Sequence, residues 1–247
     1  MAKLSAVIIT KNEEKNIRDC LESVKWSNEI VILDSGSIDN TVRICREYGC
    51  KVIESEWFGF GPTKQLAVNS ASHEWILSLD ADERVSPQLQ SSIKEIISNK
   101  ESLEGYRVNR DSYYLGKLIR FSGWQNDRPL RLFKKERGRF NDSTVHESVL
   151  LDGRTGQIKA SLLHYSYPDL ETHLDKINRY TMLGAQKLFE QNRKASLPGA
   201  LVRGIFKFLK MYIIKAGFLD GLYGLVLAII SSFGVSLKYF KLWKLNR

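Results

Sequence analysis

Acidic side chains in this sequence recur at the points where apolar runs end. A first apolar run leads into Asn12 and Glu13, a second ends at Asp34, and a third leads into Asp80 and Asp82. Carboxylates at the carboxyl ends of successive buried strands mark the edge of an open α/β sheet, which is where ligands bind. We therefore predict that these residues share one site.

Asp80 and Asp82 have the spacing of a site for a divalent cation. Residues i and i+2 of an extended segment point to the same side, and carboxylates with phosphate oxygens and water are the usual ligands of Mg²⁺ or Mn²⁺. Such a pair also occurs in ordinary surface turns, but here it follows the strand-like run 75–79. The sequence therefore predicts a metal-dependent protein that binds a diphosphate.

Three further polar residues each have more than one interpretation. Asp34 lies in a turn that contains Gly and Ser, where its carboxylate either satisfies loop amides or accepts the imide N–H of a uracil ring. Asp39 is predicted in the first turn of a helix, where an acidic side chain offsets the helix dipole. Lys64 follows Pro62 at a predicted helix start, and either approaches a pyrophosphate or is a solvated helix lysine.

Hydrophobic periodicity predicts the elements that position these residues. Strands and amphipathic helices alternate up to about residue 98, which implies right-handed crossovers and a parallel sheet, and the pattern changes to hairpins over residues 105–167. A long helix is predicted over residues 169–191. Its expected buried positions are Leu170, Leu174, Ile177, Tyr180 and Leu188.

Length and charge define the broad class. The 247 residues, 43% of them hydrophobic, are enough for one catalytic domain over residues 1–197 and an extension over residues 198–247. The first hundred residues carry 12 Lys and Arg against 15 Asp and Glu, whereas residues 200–247 carry 8 against the single Asp220. This asymmetry favours an anionic surface as a partner and argues against nucleic acid.

The three cysteines are predicted to be buried, reduced thiols. Cys20, Cys45 and Cys50 are odd in number and lack a C-x-x-C pair, which argues against a disulfide or metal role and places the catalytic part in the cytosol. The apolar run before Lys11 is too short for the core of a signal peptide and is predicted as the first strand.

The extension has the composition of a membrane-contacting segment. Residues 200–216 combine an apolar face with a basic stripe, which predicts a helix in an anionic membrane surface, the alternative being a helix packed on the domain. Residues 221–237 carry no formal charge and are at the lower length limit of a membrane span; an interfacial or re-entrant segment fits equally well. The basic and aromatic residues 238–247 are expected on a cytoplasmic face.

These motifs resemble the nucleotide-binding half of the family 2 inverting glycosyltransferases of the GT-A fold. The resemblance covers about residues 3–195 and rests on Ile9-Thr10-Lys11-Asn12-Glu13, Asp34-Ser35-Gly36-Ser37-Ile38-Asp39 and Asp80-Ala81-Asp82-Glu83. Further residues resemble the small bacterial enzymes that add a glucose-type sugar to the inner core of lipopolysaccharide. They are Trp124, Arg128, Arg131-Leu132-Phe133, Val145-His146-Glu147 and His164-Tyr165.

The resemblance implies an α/β fold of the GT-A type, Rossmann-like, with a mostly parallel central sheet and helices on both faces. It implies a nucleotide-sugar donor, expected to be a UDP-sugar, and a divalent cation, Mg²⁺ or Mn²⁺. It places Thr10, Asn12, Glu13 and Asp34 around the nucleoside and Asp82 on the metal. Lys64 and Asp80 are further candidate residues for binding the nucleotide-sugar, and His164 is a further candidate metal ligand.

Inverting transfer needs a base that takes the proton of the acceptor hydroxyl. Glu147 is preferred because a carboxylate is ionised at pH 7, and strand alternation puts His146 on the opposite face. His164 is a metal ligand, an acceptor contact or a partly buried strand histidine. Arg128 and Arg131 either bind acceptor phosphates or lie on a solvated face. Trp124 and His146 are assigned to the acceptor.

The sequence thus predicts a metal-dependent hexosyltransferase. We expect it to transfer a glucose-type sugar to a membrane glycolipid, the lipopolysaccharide core. We expect the protein to be a peripheral or monotopic protein on the cytoplasmic face of the inner membrane. Transfer to a polyprenyl phosphate or capsule intermediate, and a catalytically silent membrane adaptor of the same fold, are the alternatives.

Overall fold

A computed structural model describes residues 2–142 and 147–247. The chain forms two compact units. The first comprises Met1–Arg110 and Asn126–His164, and the second comprises Asp111–Gln125 and Tyr165–Arg247. The boundary predicted at residue 198 falls inside the second unit, so the extension packs together with residues that precede it in the chain.

The first unit contains the predicted parallel sheet. Its four parallel strands are β1 (Leu4–Thr10), β2 (Glu29–Asp34), β3 (Lys51–Glu54) and β4 (Trp75–Asp80). They lie in the order β3-β2-β1-β4, and the register pairs Thr10 with Asp34 and Ile9 with Asp80. The predicted convergence of strand ends is confirmed, because β1, β2 and β4 end side by side at one edge of the sheet.

Antiparallel strands extend this sheet beyond β4. They are β5 (Glu83–Val85), β6 (Gly105–Tyr114), β7 (Lys117–Leu118), β8 (Leu130–Lys134) and β11 (Thr155–Tyr167). β8 pairs with β4, and β11 pairs with β5 so that His164 lies opposite Glu83. A separate two-stranded ribbon consists of β9 (Gly138–Phe140) and β10 (Val149–Leu151), and Glu147 lies two residues before β10.

Helices cover both faces of the parallel strands. They are α1 (Ile17–Val24), α2 (Thr41–Glu47), α3 (Phe60–Ser70) and α4 (Pro87–Ser98). Ile8 of β1 belongs to the core shared with α1, α2 and α4, whereas its neighbour Val7 belongs to the core shared with α3. Because both strand faces are buried, the strands are apolar runs without polar alternation.

The second unit is largely helical. Its helices are α5 (Leu170–Glu190), α6 (Leu197–Leu209) and α7 (Leu222–Leu245), and a π-helical turn (Lys210–Ile214) and a 3₁₀ turn (Gly217–Asp220) join α6 to α7. Tyr114, Met211 and Leu227 form its core. A Cβ at Gly204 would lie 2.0 Å from Ser236 Oγ, so the glycine allows α6 and α7 to pack closely.

The predicted buried positions of α5 are partly wrong. Leu170, Leu174 and Tyr180 are exposed, and the helix instead buries His173, Thr181 and Ala185. Tyr114 makes a 3.0 Å hydrogen bond with Nδ1 of His173. Burial, with a contribution from Lys176, lowers the pKa of His173 to about 4, so the ring is neutral at pH 7.

The cysteines are free thiols. Burial raises the pKa of Cys45 to about 12 and that of Cys50 to about 11, and it also raises the pKa of Cys20. The thiolate is the nucleophile and metal ligand, so these residues are unreactive at neutral pH.

Asp220 is a buried carboxylate at the end of the 3₁₀ turn. Its two oxygens accept hydrogen bonds from the backbone N–H groups of Arg120 and Phe121, at 3.0 Å each. The acidic residue of the tail therefore ties the α6–α7 connection to residues 120–121 and is withdrawn from the surface.

We expect Asp220→Ala to lower the free energy of unfolding by about 2 to 5 kcal/mol, because two partly buried N–H donors lose their acceptor. Asp175→Ala, on the exposed side of α5, is the matched control and should change it by less than about 0.5 kcal/mol. Urea denaturation of both variants measures the difference. Equal stability of the two would contradict the anchoring role of Asp220.

Candidate active site

Asp34 organises the loop that follows β2. Its Oδ1 accepts the N–H groups of Gly36 and Ser37 at 3.0 and 2.8 Å, and its Oδ2 accepts the hydroxyl of Thr10 at 2.9 Å and that of Ser37. An ionised carboxylate has about four acceptor positions, and here all four are used. Asp34 therefore satisfies loop donors, and a uracil imide would have to displace one of them.

The loop after β1 is cross-linked to the loop after β2. Asn12, with a φ of 56°, donates its N–H to Ser37 Oγ at 2.8 Å and accepts the N–H of Ile38 at 2.8 Å. The N–H of Glu13 donates to Thr41 Oγ1 at 2.8 Å. Hydrogen bonds thus join the two loops that carry Thr10, Asn12, Glu13 and Asp34, and these four residues form what we call the rim.

Asp39 lies two residues before α2, which begins at Thr41, so its predicted place in the first helical turn is wrong. Its carboxylate accepts the Thr41 N–H at 3.0 Å, the Thr41 hydroxyl at 2.6 Å and the Glu14 N–H at 3.2 Å. Partial burial disfavours the charged form, but these hydrogen bonds outweigh that effect and lower the pKa of Asp39.

Lys64 is not a solvated helix lysine. It lies on α3 with 1% of its side chain exposed, and its Nζ is 2.7 Å from Asp80 Oδ1 and 2.7 Å from Glu147 Oε1. A buried ammonium is costly unless it is paired, and here two carboxylates share it. The contact joins Asp80, at the end of β4, to the candidate base Glu147, which lies 83 residues after Lys64 in the chain.

Asp80 is held by two cations. Besides Lys64, the Arg131 guanidinium donates to Asp80 Oδ2 at 2.7 Å. Burial disfavours the charged carboxylate, but the charges of Arg131 and Lys64 outweigh burial and hold the pKa of Asp80 well below its usual range. Asp80 is therefore ionised at neutral pH, and each of its oxygens is already engaged by a protein cation.

Glu83 is the second buried carboxylate of this network. It is 0% exposed, accepts Arg131 at 2.6 Å and Arg110 at 3.0 Å through Oε1, and accepts the Asp80 N–H at 2.9 Å through Oε2. Arg110 also pairs with Asp127 at 2.6 Å. Glu83 thus fixes the backbone of the acidic motif and the guanidinium that holds Asp80.

Asp82 and His164 face each other across the β5–β11 pairing. The distance from His164 Nε2 to Asp82 Oδ1 is 3.4 Å, and the side chains are 17% and 12% exposed. In the described part of the chain no group of three or more His, Cys, Asp or Glu is arranged to hold a metal. A carboxylate and an imidazole are suitable ligands for a divalent cation whose remaining ligands are diphosphate oxygens and water.

Three of the four residues assigned to the acceptor lie in the described part of the chain. Arg131 is buried against Asp80 and Glu83, so it neither lies on a solvated face nor has a guanidinium available to an acceptor phosphate. Arg128 is exposed, 3.4 Å from the Gln157 side-chain oxygen. Trp124 packs in the second unit against Tyr114 and Tyr167. His146 lies outside the described residues.

Sequence reasoning missed two members of the network. Glu83 was visible three residues after Asp80 but had no assigned role, and its position next to a D-x-D motif was the available signal. Arg110 lies in a predicted hairpin, and its partners Glu83 and Asp127 are 27 and 17 residues away, so no local pattern indicated it.

Loss of the Arg131 side chain should destabilise the first unit. Arg131→Met removes the cation shared by Asp80 and Glu83 and leaves them only Lys64 and Arg110, respectively, so we expect a loss of about 3 to 5 kcal/mol in the free energy of unfolding. Arg128→Met removes an exposed guanidinium three residues earlier and serves as the control. Chemical denaturation compares them, and a similar midpoint for both would contradict the structural role of Arg131.

Comparison with known proteins identifies relatives of the whole chain. The model of a family described as glycosyl transferase family 2 matches residues 5–149. An uncharacterised glycosyltransferase of Rickettsia typhi is 33% identical over 266 residues, covering 100% of this chain and 88% of the relative. The lipopolysaccharide core biosynthesis glycosyltransferase LpsC of Rhizobium meliloti is 30% identical over 243 residues, covering 93% of this chain and 90% of LpsC.

Comparison with solved structures concerns the fold. The crystal structure of TarS from S. aureus is similar with a TM-score of 0.50 and 14% identity, covering 94% of this chain and 49% of TarS. At that identity the similarity shows the architecture only.

Proposed function

This chain belongs to glycosyl transferase family 2 and has the predicted GT-A fold, and from that premise we propose that it transfers a glucose-type sugar from a UDP-sugar to a membrane glycolipid with inversion. The observation that carries the proposal is the arrangement of Glu147, Lys64 and Asp80 at the edge of the sheet, beside the Asp82–His164 pair. The similarity to LpsC supports lipopolysaccharide core as the acceptor.

We assign the proton transfer to Glu147. Its side chain is 20% exposed, and the Lys64 ammonium at 2.7 Å from Oε1 holds the carboxylate in one orientation. The second oxygen, Oε2, takes the proton of the acceptor hydroxyl as that hydroxyl attacks the anomeric carbon, and the bond from that carbon to the diphosphate breaks. A carboxylate held by an ammonium does not need to reorganise during this step.

Lys64 acts as a positioning residue in this scheme. The sequence suggested an approach to the pyrophosphate, but the side chain is buried and both of its close ionic contacts are to carboxylates. Its contribution to donor binding is therefore indirect. Lys64 fixes the position of Asp80, the last residue of β4, and Asp82 follows two residues later.

Asp82 and His164 are the residues that would hold a divalent cation. When bound there, Mg²⁺ or Mn²⁺ would neutralise charge on the departing diphosphate. Asp82 lies in the turn between β4 and β5 and His164 lies on β11, and both side chains remain partly exposed. This exposure allows a donor to supply the remaining ligands.

The rim formed by Thr10, Asn12, Glu13 and Asp34 is our proposed nucleoside site. Its side chains hold the two loops in fixed positions before the donor binds, so binding would lose little conformational entropy. Asp34 shapes this rim through its four donors and does not need to contact the base itself.

For the acceptor we propose Arg128 as a phosphate contact, since it is exposed and its guanidinium suits phosphate geometry. Trp124 and His146 remain assigned to the acceptor as a prediction. A glycolipid acceptor also implies that the protein works at an anionic membrane, on its cytoplasmic face.

The overall proposal is tested by donor hydrolysis and transfer. Purified protein is supplied with UDP-glucose, UDP-galactose and UDP-N-acetylglucosamine in turn, with lipopolysaccharide core, polyprenyl phosphate or no acceptor. Release of UDP that rises with lipopolysaccharide core supports the proposal. A rise with polyprenyl phosphate alone would replace the acceptor, and no turnover with any pair would contradict the enzyme assignment for these donors.

Asp82→Asn should abolish the metal-dependent part of donor binding while the fold survives, because an amide is a weaker ligand for a hard cation than a carboxylate. Calorimetric titration of UDP with and without Mn²⁺ measures this. Asp152→Asn, whose side chain is 82% exposed, is the matched control. An unchanged effect of Mn²⁺ in Asp82→Asn would show that the cation lies elsewhere.

Glu147→Gln should keep donor affinity and lower turnover by at least about two orders of magnitude, since it preserves shape and removes the proton acceptor. Affinity and turnover are measured on the same preparation. The control is Glu136→Gln, an exposed residue of the β8–β9 turn. Near-normal turnover of Glu147→Gln would assign the base to another residue.

A further inference from the structure

Helix α6 is apolar on two opposite faces. One face, with Ala200 and Gly204, is buried against α7. The other face, continued into the π-helical turn by Ile213, presents a set of apolar side chains that are each 45% to 63% exposed, namely Leu201, Val202, Ile205, Phe206, Leu209 and Ile213. A surface helix of a water-soluble domain is polar on the face opposite its packed side, so the outer face of α6 has the composition of a second apolar contact.

The exposed apolar surface continues through the connection to α7. Ile214, Phe218, Leu219 and Leu222 are 48% to 76% exposed. Ile214, Phe218 and Leu219 lie in the turns that join the two helices, and Leu222 is the first residue of α7. The apolar surface therefore covers the tip of the α6–α7 hairpin as well as one side. Isolated exposed apolar residues are ordinary, whereas a set of this size marks an interaction surface.

The charges around this surface favour an anionic partner. Arg203, Lys207, Lys210 and Lys215 lie along α6 and its following turn, and Arg203 is 4.5 Å from the ring of Tyr239. Asp220, at the tip, is buried and bound to backbone N–H groups. Residues 200–247 contain no other acidic side chain. An apolar face flanked by cations is typical of a helix seated in an anionic lipid surface.

Among the described helices, only α7 is long and apolar enough to cross a membrane, with a mean hydropathy of 1.6 in its most apolar window. Packing argues against a span. Lys241 Nζ donates to the backbone O and Oδ1 of Asn178 at 2.8 Å each, and Ile177 packs on Gly234. The later half of α7 is therefore joined to α5, whose outer side carries Asp175 and Arg179 and needs water.

The rest of α7 is too short to cross a bilayer. Residues 222–233 span about 18 Å as a helix, whereas the hydrocarbon core is about 30 Å thick. We propose that the α6–α7 hairpin enters one leaflet of an anionic phospholipid bilayer with its tip and the outer face of α6, and that the chain does not cross. The protein is then monotopic, attached through this hairpin. The proposed attachment does not depend on which donor or acceptor the protein uses.

Flotation of the full chain with vesicles tests the surface. With vesicles of phosphatidylcholine and phosphatidylglycerol the protein should float at low salt, and a part should remain bound at high salt because apolar side chains are inserted. Phe206→Asp with Ile213→Asp should reduce the bound fraction by at least about tenfold. The matched control is Leu183→Asp with Phe189→Asp, at exposed apolar positions of α5, and should bind as the unmodified chain does.

Circular dichroism and UDP affinity are measured on all proteins, so that loss of folding or of donor binding is separated from loss of membrane binding. Failure of the full chain to float would overturn the proposal, and so would equal losses in the two variants. A stable dimer in light scattering that Phe206→Asp with Ile213→Asp dissociates would instead assign the surface to a second copy.

Protease protection tests the monotopic arrangement. The chain is synthesised in the presence of vesicles with a peptide tag after Arg247, and protease is added outside. Complete removal of the tag from the floated protein is expected. A protected fraction of the tag that becomes cleavable when detergent opens the vesicles would show a span and overturn the one-leaflet arrangement, whatever the donor and acceptor prove to be.

Discussion

The contact on which the site depends is the ion triad of Lys64 with Asp80 and Glu147. A buried ion pair contributes little net stability, because desolvation offsets the attraction, but loss of one partner is strongly destabilising. Such a contact therefore fixes positions more than it stabilises the fold. Here the Lys64 ammonium binds both Asp80 of the parallel sheet and Glu147 next to the β9–β10 ribbon. The buried lysine therefore fixes the distance between the edge of the sheet and the candidate base.

The same network limits what can bind the donor. Each oxygen of Asp80 is engaged by a cation, and the guanidinium that holds it is shared with the fully buried Glu83. The buried cations are thus largely neutralised by the protein's own carboxylates, and little of their charge is left for a diphosphate. A divalent cation on Asp82 and His164 would supply the missing positive charge. In the proposed mechanism, positioning by the protein would then rest on Asp80 and binding of the cation on Asp82, two residues of one acidic motif.

Local sequence patterns predicted the strands and helices, whereas the roles of the site residues depend on contacts between residues far apart in the chain. Apolar runs located the four parallel strands and the acidic residues at their ends, because burial on both faces leaves a continuous apolar signature. The pairing of Lys64 with a residue 83 positions away leaves no such signature. In α5 the predicted apolar stripe was displaced, since the helix also carries exposed Leu170 and Leu174 and hydropathy alone does not distinguish a face packed on protein from one left uncovered.

In the second unit, the buried carboxylate of Asp220 is stabilised differently from that of Asp80. Asp80 is compensated by side-chain cations, whereas the oxygens of Asp220 accept two backbone N–H groups and need no cation. This difference matters for the surface, because an arginine or lysine recruited to Asp220 would place a further charged side chain at the hairpin tip. With backbone donors instead, the turn can expose Phe218 and Leu219 while its one carboxylate stays satisfied inside. The structure therefore explains why a basic, apolar tail contains a single acidic residue. The carboxylate of Asp220 is buried and hydrogen-bonded, so its charge lies away from the exposed apolar surface.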